Sequence, residues 1–226
     1  MIHIDTIVVP QGAEYKAVYR GLAKANAGNI RVVAIPIGTN KIQQTLASYS
    51  VELNQAQSVL IMGLCGSLDP GYVVGGTVLY KNCLNIDRQQ VNLQPELTAA
   101  IQQKISVDLV AGITSDRIIF QATEKSKLSQ TYPASVVDME GYEYIKEFQD
   151  RELAVAMLRV ISDDLTGDIP DLSRAIDLDG NIKAVAMAIA FLQQPIAAIR
   201  LIKGSLAGLK IIEQVTYQLA IDNQLF

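Results

Sequence analysis

The sequence predicts an α/β protein, a three-layer αβα sandwich in which helices cover both faces of a mostly parallel sheet. Short apolar runs alternate with amphipathic helical stretches along the 226 residues, which is typical of strands buried on both faces. Half of the residues are hydrophobic and 19% are charged, so the chain can build a sizeable core and is unlike a disordered segment. Because no linker rich in Pro, Gly or Ser divides it, we expect one domain over 1–226, with 181–226 as its helical C-terminal extension.

The strands are predicted from β-prone apolar runs that end at turn residues or carboxylates. In chain order they are Thr6–Pro10, Ile30–Ile37, Ser58–Leu64, Thr77–Tyr80, Val107–Thr114, Ser135–Asp138 and Ala154–Ile161. The helices are predicted from apolar residues at helical spacing, and a proline opens the last of them. They are Glu14–Lys24, Lys41–Glu52, Pro95–Lys104, Thr123–Gln130, Gly141–Gln149, Ile182–Leu192 and Pro195–Leu219.

Charge and hydropathy exclude several classes of function. The net charge is −4 and no cluster of Lys and Arg is longer than a pair, so a basic face for nucleic acid is not expected. The start of the chain, Met1–Asp5, has the pattern of a strand and lacks the features of a signal peptide. The longest apolar run near the C-terminus, Ala184–Leu192, has nine residues, whereas a helix that spans a bilayer needs about 20.

The cysteines and the single histidine do not predict a metal site. Cys65 and Cys83 lack metal-type spacing, and His3 is the only imidazole. We therefore expect a cytoplasmic protein with reduced cysteines and with no metal or organic cofactor. Proton transfer near neutral pH then falls to a carboxylate with a shifted pKa.

Two apolar runs end abruptly in carboxylates. They are Val136–Gly141, which contains Asp138 and Glu140, and Leu158–Asp163. Side chains at the carboxyl ends of neighbouring strands meet in one crevice, so these acids predict acid chemistry on a polyhydroxylated substrate. Helix capping is an alternative role for Asp138 and a dipole interaction for Glu140.

The roles of three further segments and of Glu14 are ambiguous when each is taken alone. Gly63–Gly71 fits either a ligand-binding turn or a plain tight turn, and Gly112–Phe120 fits either a wall for a flat aromatic ligand or core packing. Glu14 opens the first helix at the end of the first strand, where a dipole role is as good an explanation as catalysis. In the C-terminal tail, Leu201–Ile212 fits a helix packed on the sheet or on a second subunit; the alternative is an apolar surface for a lipid-like substrate or membrane contact.

In combination, the motifs of residues 4–165 resemble the nucleoside phosphorylase/nucleosidase superfamily. Its methylthioadenosine/S-adenosylhomocysteine nucleosidases carry a strand that ends in Glu-Met-Glu and a later Arg-Ala-Ile-Ser-Asp. Asp138-Met139-Glu140 and Arg159-Val160-Ile161-Ser162-Asp163 stand in those places here. Three shorter segments add to the likeness: Gly63–Gly66 resembles the glycine turn of the family, Val74–Val78 its Val-Gly-Asp strand entry, and Ile37–Lys41 its Gly-x-Gly-Lys turn with Asn40 in place of the second glycine.

The resemblance implies a mixed, twisted central sheet and cleavage of the N-glycosidic bond of a purine nucleoside. It makes Asp163 the general acid toward purine N7 and Ser162 the residue that orients it. To carry a proton near neutral pH, Asp163 needs surroundings that disfavour its charged form, which burial can provide. The substrate-binding residues implied are Glu140 on the ribose hydroxyls, Met139 under the sugar, Cys65 and Gly66 in the glycine turn, and Ile118, Ile119 and Phe120 around the base.

The nucleophile is the point at which this chain departs from the pattern. Phosphorolytic relatives bind phosphate with two arginines and a serine, and Glu14, Ile61 and Leu64 stand in those places here. Losing two cations while gaining a carboxylate disfavours a dianion, and Glu14 resembles the water-activating glutamate of the hydrolytic branch. We therefore favour hydrolysis. Phosphorolysis with phosphate as co-substrate stays open, because Arg20, Arg88, Arg117 or an arginine of a neighbouring subunit can restore a phosphate site.

The tail narrows the resemblance to a branch. Asp177–Gly180, the Ala/Leu-rich helices that follow it and Gly-Leu-Cys-Gly at Gly63–Gly66 are similar to the hopanoid-associated phosphorylases, which act on adenosylhopane. We therefore expect a 5′-substituted adenosine as substrate, such as methylthioadenosine or this lipid-tailed nucleoside, and a homodimer or larger homo-oligomer. Two other readings are a catalytically silent nucleoside-binding protein and a lipid- or membrane-binding protein whose tail is the functional part.

Overall fold

The computed structural model describes residues 4–38, 42–49, 53–177 and 181–223. Several segments named above lie wholly or partly outside these ranges. They are His3 with the start of the chain, Thr39–Lys41 of the predicted Gly-x-Gly-Lys counterpart, residues 41 and 50–52 of the predicted helix Lys41–Glu52, Leu178–Gly180, and the last three residues of the C-terminal extension.

Eight strands lie within the described residues. They are β1 (Thr6–Pro10), β2 (Arg31–Ile35), β3 (Ser58–Ser67), β4 (Thr77–Leu84), β5 (Gln90–Asn92), β6 (Asp108–Thr114), β7 (Val136–Asp138) and β8 (Ala154–Asp163). All seven predicted strands are present. β5 was not predicted, because three residues of polar and apolar type in a turn-rich stretch carry no periodic signal; β5 pairs with the end of β4.

Seven helices lie within the described residues. They are α1 (Ala13–Lys24), α2 (Ile42–Ser48), α3 (Pro95–Ile105), α4 (Ala122–Thr131), α5 (Gly141–Asp150), α6 (Ala184–Gln193) and α7 (Pro195–Asn223). All seven predicted helices are therefore present. α7 is longer than the predicted helix, whereas the predicted helix Lys41–Glu52 can be compared with α2 only over 42–49.

The sheet is mixed, as the resemblance implies, and it curls back on itself. β3 runs parallel to both β1 and β8, while β8 and β4 pair antiparallel. β4 continues through β6 to β7, and β7 pairs antiparallel with the last two residues of β3. The strands β3, β8, β4, β6 and β7 therefore form a closed ring, with β1 and β2 as an extension beside β3.

Helices pack on both faces of the sheet, which confirms the three-layer αβα sandwich. One face carries α1, α3 and α7 over side chains such as Leu60 of β3 and Leu158 of β8. The other face carries α2 and α5 over the alternate side chains of the same strands, including Ile61 and Met157. Since side chains of a strand alternate between faces, continuous apolar strands are buried on both sides.

The long helix α7 packs against the sheet beside the carboxyl end of β8. A methyl group on Gly204 would lie 1.9 Å from the backbone oxygen of Ser162, and one on Gly208 would lie 2.5 Å from Cδ2 of Leu64. The two glycines thus bring the helix into direct contact with β8 and β3. Packing on the sheet, one of the two interpretations of this segment, accounts for the buried face of α7.

Candidate active site

One cavity of about 290 Å³ collects nearly all of the predicted site residues. It lies at the carboxyl ends of β1, β3 and β8, where the sequence predicts the crevice. The predicted residues that line it are Glu14, Cys65, Gly66, Ile118, Ile119, Met139, Glu140, Ser162 and Asp163. The exception is Phe120, which is not a lining residue. Its backbone oxygen instead accepts a hydrogen bond from the backbone N–H of Ile169, which holds the loop that lines the cavity.

Glu14 reaches the cavity because the chain turns sharply between β1 and α1. Gly12, at φ 93°, adopts a conformation that side-chain-bearing residues avoid, and Glu14 follows it in the first turn of α1. Its Oε1 accepts a hydrogen bond of 2.7 Å from the backbone N–H of Leu64. Burial raises the pKa of Glu14 to about 7, the nearby charge of Glu140 adds to the rise, and the hydrogen bond from Leu64 opposes it. A carboxyl group with this pKa can accept a proton from water near neutral pH.

Asp138 has a structural role, the alternative that the sequence left open. Its Oδ1 accepts hydrogen bonds from the backbone N–H of Gly141 at 2.8 Å and from the hydroxyl of Thr114 at 2.8 Å. Its Oδ2 accepts one from the hydroxyl of Tyr80 at 2.8 Å. These bonds fix the start of α5 and hold the neighbouring Glu140 at the cavity.

Glu140 lies in the cavity wall with both carboxylate oxygens partnered. Oε1 accepts a hydrogen bond of 3.0 Å from the backbone N–H of Gly38, and Oε2 accepts one of 3.3 Å from Nη2 of Arg159. Burial raises the pKa of Glu140, and the positive charge of Arg159 opposes that shift. Each carboxylate oxygen can accept a second hydrogen bond, so Glu140 can still bind a hydroxyl group.

Arg159 is the largest fully buried side chain in the described residues. It lies among carboxylates: its Nε is 3.7 Å from Oδ2 of Asp138 and its Nη2 is 3.3 Å from Oε2 of Glu140. Burial would lower the pKa of Arg159, but the nearby charges of Asp138 and Glu140 outweigh it and raise the pKa. Nε and Nη1 donate no hydrogen bond within the described residues.

The free Nη1 of Arg159 and the carboxyl of Glu14 both lie over Gly63. A methyl group on Gly63 would be 2.0 Å from Nη1 and 3.0 Å from Oε1 of Glu14. Arg159 is fully buried and does not line the cavity, whereas Glu14 does. A carboxyl group that titrates near neutral pH is suited to deprotonating a water molecule there.

Ser162 and Asp163 are placed by an irregularity in β8. Cys65 of β3 pairs with Ile161 but the next residue, Gly66, pairs with Asp163, so Ser162 is an extra residue in β8. The hydroxyl of Ser162 lies 2.7 Å from Oδ1 of Asp163 and 3.2 Å from the backbone oxygen of Cys65. The serine thus stands where it can orient the aspartate.

Asp163 also has a partner that the sequence analysis did not foresee. The ammonium group of Lys125, on α4, forms an ion pair with its Oδ2. Lys125 is fully buried and Asp163 is 7% exposed. Asp163 is therefore buried, as expected, but it lies against a buried cation as well as Ser162.

The sequence left a ligand-binding turn and a plain tight turn open for Gly63–Gly71; the structure shows that Gly63–Ser67 is the end of β3 and that the turn begins after it. Two of its glycines make room for side chains. Gly63 accommodates Arg159, and a methyl group on Gly66 would lie 2.9 Å from Oδ2 of Asp163. Burial raises the pKa of the Cys65 thiol, which keeps it protonated in the cavity wall.

The arginines considered for a phosphate site are engaged elsewhere. Arg20 pairs with Glu213 at 2.6 Å, and Arg88 lies over the ring of Tyr132 at 5.4 Å. Arg117 lines the cavity but forms an ion pair with Glu124. Ile61 is fully buried in the core and does not line the cavity.

The remaining wall of the cavity is apolar. It is formed by the loop after β8 and by α6 and α7, through Ile169, Leu172, Ile176, Ile182, Met187 and Leu201. On the same two helices, Val185, Leu192 and Ile196 are each at least 76% exposed. Across the ranges that the structure describes, no helix is long and apolar enough to cross a membrane, and no His, Cys, Asp and Glu side chains cluster to hold a metal ion.

Acidic side chains line one cavity at the carboxyl ends of strands in an αβα sandwich, which is where enzymes of the α/β class bind their substrates. The family described as Phosphorylase superfamily matches residues 5–197. The chain belongs to this superfamily.

Solved structures with the same fold cover almost the whole chain. Futalosine hydrolase of Helicobacter pylori has a TM-score of 0.69 at 14% identity, over 98% of this chain and 99% of that one. A 5′-methylthioadenosine/S-adenosylhomocysteine nucleosidase from Colwellia psychrerythraea, in complex with adenine, has a TM-score of 0.67 at 12% identity, over 97% and 95% of the two chains. The 5′-methylthioadenosine/S-adenosylhomocysteine nucleosidase from Helicobacter pylori, with butyl-thio-DADMe-Immucillin-A, has a TM-score of 0.61 at 16% identity, over 95% of this chain and 98% of that one. No curated protein matches this chain.

Proposed function

We propose that this protein hydrolyses the N-glycosidic bond of a purine nucleoside, a 5′-substituted adenosine, and releases adenine. The observation that carries the proposal is the single cavity in which Glu14, Glu140 and Asp163 meet. Structures that share the fold include nucleosidases and futalosine hydrolase. This supports the proposal, because the same fold carries out that type of reaction in those proteins.

Glu14 activates the attacking water in this mechanism. With a pKa of about 7, the carboxylate takes a proton from water as the bond to C1′ forms. Arg159 does not line the cavity, but its Nη1 approaches Glu14 over Gly63 and acts on this base through its charge. Since the positive charge of Arg159 lowers the pKa of Glu14, the arginine keeps the base ionised.

Glu140 and Asp163 act on the two sides of the bond that breaks. Glu140 accepts hydrogen bonds from the ribose hydroxyls, and these strengthen as positive charge develops on the sugar ring. Met139 packs against the sugar. Asp163, oriented by Ser162, protonates N7 of the base so that neutral adenine leaves.

The 5′ substituent would face the apolar wall formed by the loop after β8, α6 and α7. Ile182, Met187 and Leu201 offer it no hydrogen-bonding side chain, which favours an alkylthio or lipid-like group such as those of methylthioadenosine and adenosylhopane. Ser205 is the polar residue among the cavity-lining residues of α6 and α7.

Hydrolysis is favoured over phosphorolysis by the charges of the site. Arg159 is surrounded by Asp138, Glu140 and Glu14, and Arg20 and Arg88 do not line the cavity. Arg117 lines the cavity but is paired with Glu124. Among the described lining residues, a phosphate dianion would therefore meet carboxylates and no unpaired arginine.

The test is adenine release from methylthioadenosine and from adenosine, each with and without phosphate in an otherwise phosphate-free buffer. Release without phosphate is the expected result, and Asp163→Asn is the matched control that must lose it. Strict dependence on phosphate would replace the proposal by phosphorolysis. Thermal stabilisation by adenine without any turnover, on these substrates and on an adenosyl lipid, would replace it by nucleoside binding alone.

A further inference from the structure

The ion pair between Lys125 and Asp163 has features that a stabilising surface pair lacks. Lys125 is 0% exposed, and its ammonium reaches Oδ2 of Asp163 through the space that Gly66 leaves open. A buried pair adds little net stability, because desolvation of both charges offsets their attraction. The presence of this ion pair in the wall of the candidate site therefore needs an explanation other than stability.

The position of Lys125 on α4 is also unusual. It is the fourth residue of the helix, whose N-terminal turn carries partial positive charge and favours acidic side chains. Glu124, the acid of that turn, pairs outward with Arg117 and leaves Lys125 facing Asp163. Both partners are buried, and Nζ of Lys125 contacts Oδ2 of Asp163 directly, so a proton can pass between the two groups without an intervening residue.

The other titratable groups around Lys125 are few. β8 and the residue after it bring Asp163 and Asp164, and β3 brings the Cys65 thiol. Asp164 is committed to Thr166 and to the backbone N–H of Val74. Within the described residues, Lys125 is the one cation in an ion pair with Asp163.

We propose that Lys125 is a positioning residue that works through Asp163, holding its carboxylate at Oδ2 and supplying the proton that the leaving base takes. The proposal rests on the function proposed above. A proton passes from Nζ of Lys125 to Oδ2 of Asp163, and the resulting carboxylic acid protonates N7. The electron pair of the C1′–N9 bond goes to the purine, water adds to C1′, and the proton of that water goes to Glu14. Lys125 then regains a proton from solvent and Glu14 releases one, so the cycle balances.

The experiment compares two substrates that differ in their need for a proton. Methylthioadenosine must be protonated to release adenine, whereas its N7-methylated derivative already carries the positive charge and departs without a proton. Loss of a general acid costs about 10²–10⁴-fold, so Lys125→Met is expected to lower kcat on methylthioadenosine by at least about 100-fold, with KM little changed. On the methylated substrate its kcat is expected to fall by a much smaller factor.

Two further variants separate proton supply from structure. Lys125→Arg keeps a cation beside Asp163 but cannot give up its proton, so it is expected to stay as slow as Lys125→Met on methylthioadenosine. Lys127→Met removes an exposed lysine of the same helix and is expected to leave both rates unchanged. Recovery of activity in Lys125→Arg, or equal losses on both substrates in Lys125→Met, would overturn the proposal.

Removal of Lys125 leaves Asp163 buried without its partner, so a measurement on the unmodified protein accompanies the variants. A coupled pair loses its proton in steps that belong to the pair. Ionisation of Glu14 gives both substrates the same acid limb. On its alkaline side we expect kcat on methylthioadenosine to fall again as the pair loses its proton, with no such fall on the methylated substrate. An alkaline fall shared by both substrates, or no alkaline fall on methylthioadenosine, would contradict the role of Lys125. If the unmodified protein releases base from neither substrate, the proposed function itself fails; activity that survives in Lys125→Met defeats only this inference.

Discussion

The pH dependence of kcat/KM tests the assignment of Glu14 as the base. Its pKa is raised from 4.5 to about 7 by burial and by the neighbouring Glu140, and only the ionised carboxylate can take a proton from water. Below its pKa the ionised fraction falls tenfold per pH unit, so at pH 5 it is about 1% of that at pH 9. We expect kcat/KM to fall about 100-fold over this range, with a midpoint near 7.

The assay is initial-rate adenine release at a series of pH values and constant ionic strength, with thermal unfolding at each pH to show that the protein stays folded. Glu14→Gln keeps the size of the side chain and removes its charge; we expect a loss of about 10²–10⁴-fold and the disappearance of this acid limb. A midpoint that stays near 4.5, or a Glu14→Gln protein with the activity of the parent, would refute the reasoning.

Three other substitutions are predicted from the same structure. Asp163→Asn should lower the rate of adenine release by at least about 100-fold, while circular dichroism shows an intact fold. Arg159→Met leaves buried carboxylates without their cation, so we expect a loss of about 3–5 kcal/mol in the free energy of unfolding and a shift of the Glu14 acid limb to higher pH. Gly204→Ala places a methyl group 1.9 Å from a backbone oxygen of β8, and denaturant unfolding should show a loss of about 1–3 kcal/mol. Its control is Gly28→Ala, whose methyl group meets nothing within 4 Å and should be neutral in the same measurement.

The fold could be predicted from sequence because its main elements carry periodic signals. Continuous apolar runs such as Ser58–Leu64 and Ala154–Ile161 predict strands buried on both faces, and both are central strands of the sheet. The closure of the sheet through β3 and β7 has no such signal. It depends on a two-residue pairing, Gly66 with Val137 and Ser67 with Val136, between segments about seventy positions apart in the sequence.

The acids of the site could be predicted because each follows an apolar strand or opens the helix after one. The basic residues that pair with those acids could not be predicted from the sequence. Lys125 stands in the polar stretch Thr123–Lys127, which has the composition of an exposed helix start, and only the closed ring brings it to Asp163. Arg159 was identified as part of a motif, but its burial among three carboxylates was not predicted. The burial follows from the alternation of side chains along β8, because Arg159 points to the same face as Met157 and Ile161.

Leu64 shows how the departure of this chain from the family pattern is accommodated. The resemblance sets a hydroxyl-bearing serine at this position, and its replacement removes a group that would help to hold phosphate or water. The side chain of Leu64 instead packs on α7 at Gly208, while its backbone N–H donates to Glu14. Because a backbone donor survives any change of side chain, the position can contribute to the site and to the docking of the C-terminal helix at once. In the proposed mechanism Glu14 activates the water without that hydroxyl. Through Leu64, β3 contacts both the carboxylate of Glu14 and the C-terminal helix.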